Sequence, residues 1–141
     1  MFSPQFKGVP EMNEALPLVF DQPDLAACIG TLSEAQLDGL GFGVIGFDAQ
    51  GVVRVYNAFE SKYAGLSPQR VLGHPLFTVV APCMNNFMVA QRFEDAAASA
   101  ASLDATIDYV LTLRMRPVKV KLRLLAAPAT ALRYVLVQRP A

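Results

Sequence analysis

Val118-Lys-Val-Lys-Leu-Arg-Leu124 alternates apolar and basic residues without a break. A period of two marks a strand with one buried and one wet face. Lys119, Lys121 and Arg123 therefore read most simply as a solvated face, with a site for an acidic partner as the second reading. Residues 106–113 and 132–137 are also strand-like, and Pro128 marks a turn before the last of these. Upstream, 42–48 and 52–56 flank Ala49-Gln50-Gly51, a short loop with glycine where a hairpin favours positive φ. Between the two groups, 57–80 holds short helices and turns punctuated by Gly65, Ser67-Pro68 and Gly73-His74-Pro75. The longest helical stretch is 86–102, where Phe87, Ala90, Phe93, Ala97 and Ala101 recur at steps of three and four.

The first forty residues follow another pattern. Pro4, Pro10, Pro17 and Pro23 divide them into pieces of at most two helical turns. Short helices fit at 11–16 and 24–29, and Ser33-Glu-Ala-Gln36 is a capping box for a helix ending at Gly39. Such a segment is too fragmented for a core of its own, so it reads as a cap leaning on the rest. The expected architecture is a single domain over 1–141, with a cap at 1–40 and a core at 41–141. The class is α+β: a five-stranded antiparallel sheet with helices on one face, in the PAS-type order.

Composition narrows the function. The chain of 141 residues is 53% hydrophobic, with a mean hydropathy of +0.34, enough to fill a core. Twelve Lys+Arg balance twelve Asp+Glu, which argues against binding driven by nucleic-acid phosphates. No apolar run approaches the roughly 18 residues of a membrane span, and the N-terminus lacks the pattern of a secretory signal. A cytoplasmic domain with no nucleic-acid or membrane partner is expected, as a monomer or weak dimer. Cys28 and Cys83 are too few for a disulfide framework, and a lone His74 precludes a two-Cys, two-His zinc site. No phosphate-binding glycine motif is present, and no metal site is expected.

Each remaining chemical group has a plain reading beside a functional one. Cys83 can be a small buried hydrophobe, or a reactive thiol if a helix starts at Asn85 or Asn86 just after it. Cys28 has only the plain reading. Glu60 can close a capping box on Asn57, or act as a buried proton donor beside Tyr56. Tyr56 reads as a core tyrosine, Met115 as a gap-filler, and His74 as a turn residue with haem ligation a distant second.

Several segments taken together change these weights. Gln36-Leu-Asp-Gly-Leu40, Phe42-Gly43, Asp48, Tyr56-Asn57-Ala58 and Glu60 resemble the photoactive yellow protein family. So do Val80-Ala81-Pro82-Cys83 and Met115-x-Pro-x-Lys-Val-Lys121, in the same order and at nearly the same spacing, from about residue 33 to the C-terminus. The resemblance implies a blue-light receptor and no enzyme. It implies 4-hydroxycinnamic acid (p-coumaric acid) held as a thioester on Cys83, with Tyr56 and Glu60 bonding its phenolate oxygen. Met115 matches a methionine that assists thermal return from cis to trans. Ile45, Leu76, Val80 and Leu111 fall where the family lines the pocket, with Ala81 and Pro82 adjoining the cysteine. Light would isomerise the group, Glu60 would give up its proton, and the cap would loosen to signal a downstream protein.

This chain also departs from the family pattern. Leu66 stands where an arginine usually covers the ring, Ala64 where a threonine supports the tyrosine, and Leu111 replaces a phenylalanine. The competing readings are a PAS-like ligand-sensing or interaction module without chromophore, and a thiol redox sensor. A plain PAS module has no need of Tyr56, Glu60 and Cys83 together. A redox sensor would want a resolving or cationic neighbour for Cys83, which the sequence does not supply.

Overall fold

The hairpin expected around Ala49-Gln50-Gly51 forms between β1 (Gly43–Phe47) and β2 (Val53–Tyr56) in a computed structural model that describes residues 18–112 and 116–140. Gly51 adopts φ 83°, a conformation that costs glycine little, so the chain reverses there. Asp48 Oδ1 accepts from the N–H groups of Gln50 and Val52, at 2.9 and 3.0 Å, and fixes the turn. The other strands are β3 (Leu103–Leu111), β4 (Val118–Ala126) and β5 (Arg133–Gln138). All neighbours pair antiparallel, in the order β2-β1-β5-β4-β3. The short helices are α1 (Leu25–Cys28), α2 (Glu34–Asp38), α3 (Ala58–Ala64), α4 (Pro68–Val71) and α5 (Ala90–Ala98).

The central strands are buried on both sides, which explains their continuous apolar runs. In β5, Val135 and Val137 join a cluster with Tyr56, Leu76, Met84 and Phe93. Their alternate neighbours Tyr134 and Leu136 join a second cluster with Phe20, Leu25, Ile29 and Leu37. α3 to α5 therefore lie over one face, and the N-terminal segment covers the other. Ser33 and Gln36 form the expected capping box, with Gln36 N–H on Ser33 Oγ at 3.2 Å and Ser33 N–H on Gln36 Oε1 at 2.8 Å. The helix expected at 11–16 lies outside the described residues.

Three expectations need correction. Arg123 is not on a wet face but only 6% exposed, because the N-terminal segment lies over that end of β4. Its guanidinium donates to Asp104 Oδ1 and Oδ2 and to the backbone carbonyls of Phe20 and Gln22. Lys119 and Lys121 are exposed as expected. The long helix begins at Ala90 rather than 86, because Asn86 Oδ1 takes the N–H groups of Met88 and Val89 into a turn. Phe87 is consequently 79% exposed, and Ala97 and Ala101 also face solvent. The third strand is shifted: it runs from Leu103 rather than 106 and ends at Leu111.

Candidate functional site

Tyr56 closes β2 directly opposite Ile45 of β1, and its ring enters the core beneath α3 to α5. Its hydroxyl oxygen is buried and has no hydrogen-bond partner. A buried hydroxyl without a partner is costly, so this one is a donor available to a group brought into the site. Burial pushes the phenol well above its ordinary pKa, the Glu60 carboxylate adds to this, and Arg139 partly offsets it. Tyr56 therefore stays protonated, and able to donate, across the neutral range.

Asn57 follows at once and starts α3. Only 1% exposed, it uses its whole amide. Oδ1 accepts from Glu60 N–H at 3.1 Å and Val44 N–H at 2.9 Å, while Nδ2 donates to the carbonyls of Leu37 at 2.9 Å and Phe42 at 3.0 Å. One side chain thus fixes α3 to β1 and to the end of α2. The sequence revealed only its capping part.

Glu60, 2% exposed, does not complete the capping box. Its carboxylate turns instead to Arg139, just beyond β5, which donates Nη1 to Oε1 at 2.6 Å and Nη2 to Oε2 at 3.1 Å. Burial pushes the Glu60 carboxyl above the ordinary carboxylate range, and Arg139 pulls it back without cancelling that effect. Gly43 leaves the room Glu60 needs: a Cβ there would collide with Oε1.

Cys83 is a free, half-buried thiol in the one-turn 3₁₀ helix Pro82–Met84. The helix start that would have activated it lies seven residues on, at Ala90, so that argument for its reactivity does not apply. The turn before it is wide, with Val80 and Ala81 donating to the carbonyls five residues back, Pro75 and Leu76. The Cys83 carbonyl is held by the Tyr109 hydroxyl at 2.5 Å and by Asn86 Nδ2 at 3.2 Å. Asn86 Nδ2 also donates to that hydroxyl at 2.6 Å.

The fold brings most of the expected site residues together. Ile45, Tyr56, Leu76, Val80, Ala81 and Leu111 belong to one buried cluster, and Leu66 and Cys83 pack against it. Ala64 is buried on α3, Pro82 is exposed, and Met115 lies outside the described residues. Cys28 is apart from the site, with its Sγ 3.6 Å from Asp24 Oδ2. Sequence reasoning missed Arg139, Asn86 and Tyr109. Arg139 is 79 residues from Glu60, and nothing local links the two.

A five-stranded antiparallel sheet in the order β2-β1-β5-β4-β3, with short helices packed over one face, is the arrangement of a PAS domain. The pattern of the family described as PAS fold matches residues 37–137. The chain is 34% identical over 120 residues to the photoactive yellow protein of Rhodothalassium salexigens, covering 85% of this chain and 95% of that protein. It is 32% identical, with the same coverage, to the photoactive yellow protein of Halochromatium salexigens. It also resembles the solved photoactive yellow protein domain of the sensor histidine kinase Ppr from Rhodospirillum centenum, with a TM-score of 0.74 and 36% identity. That match covers 81% of this chain and 99% of the other. The chain belongs to the photoactive yellow protein family, whose members are PAS-fold photoreceptors. Among the described residues, no helix is long and apolar enough to cross a membrane.

Proposed function

We propose that this chain is a blue-light receptor that carries p-coumaric acid as a thioester on Cys83. The observation that carries the reading is the buried, unpartnered Tyr56 hydroxyl in the same core against which the free Cys83 thiol packs. When bound, the group supplies visible absorption and a double bond that light isomerises from trans to cis.

The residues fit such a group. Cys83 is a free thiol whose backbone is fixed by Tyr109 and Asn86, so its attachment point is defined. Tyr56 offers an O–H to a phenolate, and charge-assisted bonds of this kind are short and strong. Glu60, whose two oxygens here accept from Arg139, would in this reading take up a proton when the group binds, and so offer the second donor and the proton that follows isomerisation. Ile45, Leu76, Val80, Ala81 and Leu111 form an apolar wall that keeps water out. In this reading Ala64, Leu66, Pro82 and Met115 border the group, the cap at 1–40 loosens, and a cytoplasmic signalling protein reads the change.

The test is the intact mass and visible spectrum of protein incubated with activated p-coumarate. The expected result is one added acyl group and a visible band, both absent in Cys83→Ser and retained in Cys28→Ser. Colour in Cys83→Ser, or none in the wild type, would overturn the reading. A colourless wild-type protein that kept its fold would favour the ligand-sensing module instead.

A further inference from the structure

Arg139 has no part in the sequence-based reading of the site, yet it grips Glu60 with both terminal nitrogens of its guanidinium. Both side chains are largely withdrawn from water, at 11% and 3% exposed. Arginine matches a carboxylate with two parallel N–H···O bonds, a geometry that lysine cannot reproduce. A buried carboxylate without such a partner would be very unfavourable. The ionisable groups recorded around Glu60 among the described residues are Arg139, from the end of β5, and Tyr56, from the end of β2.

We propose that Arg139 is the counter-ion of Glu60 and takes up the carboxylate left when Glu60 gives its proton away. The proposal rests on the reading of Glu60 as proton donor and adds a positioning residue to it. The step is a simple proton transfer. The Glu60 O–H bond would break with its electron pair left on the carboxyl oxygen, and a bound phenolate would accept the proton as a new O–H bond. The negative charge would then rest on Glu60, which the Arg139 guanidinium faces. A guanidinium in that place lowers the cost of donation and delays the proton's return. Because Arg139 directly follows β5, whose Leu136 and Tyr134 pack against the N-terminal segment, a change in its pairing adjoins the strand that supports the cap.

The experiment has two arms. In the first, wild-type, R139K and R139Q proteins without added chromophore are ¹³C-labelled at glutamate, and the Glu60 carboxyl is titrated by infrared or NMR spectroscopy with E60Q as the assignment control. The Glu60 midpoint should rise by about one pH unit or more in R139Q, and by less in R139K, which keeps charge but loses the two-pronged geometry. An unchanged midpoint in R139Q would overturn the proposal. If R139Q does not fold, a folded E60Q/R139Q supports the pairing, whereas an equally unfolded double variant overturns it. In the second arm the proteins are loaded with activated p-coumarate and followed after a flash. Deprotonation of Glu60 should be reduced and the proton's return accelerated several-fold in R139Q, and unchanged kinetics would overturn the proposal. A wild type that takes up no chromophore refutes the functional reading alone, since the first arm needs none.

Discussion

Arg123 on β4 clasps Asp104 on β3 with two bonds, from Nε at 2.8 Å and Nη2 at 2.9 Å, and with Nη1 reaches across to the N-terminal segment. Nη1 meets the carbonyls of Phe20 and Gln22 at 2.9 and 2.7 Å. The two residues are diagonal neighbours on one face of the sheet, since Arg123 lies opposite Thr106 in the ladder. One buried cation thus ties the edge of the sheet to the cap at Phe20 and Gln22.

Arg123→Gln should therefore loosen the cap before it loosens the sheet. It leaves Asp104 and two carbonyls without their donor, at a cost of about 1–3 kcal/mol, with Asp104's partial exposure limiting the loss. Hydrogen exchange should rise first across 18–40 and only later in β1 and β5. Equal rises in both would count against a latch. In loaded protein, illumination should raise exchange in the same segment, and the variant in darkness should move part of the way toward the illuminated wild type.

Removing the Tyr56 hydroxyl should help the protein without chromophore and harm the loaded one. Its oxygen is buried without a partner, so Tyr56→Phe relieves a desolvation cost and should raise stability by up to about 1 kcal/mol. After reconstitution the same variant should shift the visible band and raise the pH at which the phenolate is protonated. A measurable loss of stability in unloaded Tyr56→Phe would show that the hydroxyl already has a partner in solution.

Glu60 should leave a signature in stability against pH. Its folded-state pKa is raised, chiefly by burial. Its contribution to stability is therefore full below the unfolded carboxylate value, near 4.3, and is lost as pH rises through the folded value. Glu60→Gln has no such loss. The stability of Glu60→Gln relative to wild type should improve with rising pH, by about 1.4 kcal/mol for each unit by which the folded pKa is raised. Denaturant melts of both proteins across pH 4–9 measure this difference. A pH-independent difference would show that burial and Arg139 cancel.

The strands and the capping box were legible because each is a local pattern. Alternation in 118–124, glycine at 51 and the Ser33/Gln36 spacing each specify their structure within a few residues. The same locality explains the failures. Alternation placed Arg123 on the same face as Lys121, but it carries no information that a segment a hundred residues away covers one and not the other. The capping signature at Asn57 was real, yet it could not say that Glu60 would prefer a guanidinium from the far end of the chain. Asn86 spoiled the helix period by holding the backbone of Met88 and Val89, a turn a hydrophobic stripe does not register. Of the site, the resemblance supplied candidate residues. The fold supplied their common core and the orphaned hydroxyl.

Ala64 and Leu66 should together weaken the phenolate. Ala64 is buried and has no hydroxyl to offer Tyr56, whose own hydroxyl stands without a partner. A less firmly held Tyr56 is a poorer donor to an anion. Leu66 packs against the site's apolar cluster and adds low-dielectric surface where the resemblance expects a positive charge. Both effects disfavour the charged form, so the phenol of the bound group should protonate at a higher pH than it would beside threonine and arginine. Each unit of difference corresponds to about 1.4 kcal/mol of lost preference for the phenolate. Titration of loaded protein should show the blue-shifted, protonated band growing at mildly acidic pH. Ala64→Thr should lower that midpoint by giving Tyr56 a hydroxyl neighbour, and Leu66→Arg should lower it separately by supplying charge. If the two act on different terms, their shifts should add in the double variant. A midpoint that stays fixed or rises in both single variants would show that Arg139 and Glu60 govern the phenolate without help from this side of the ring.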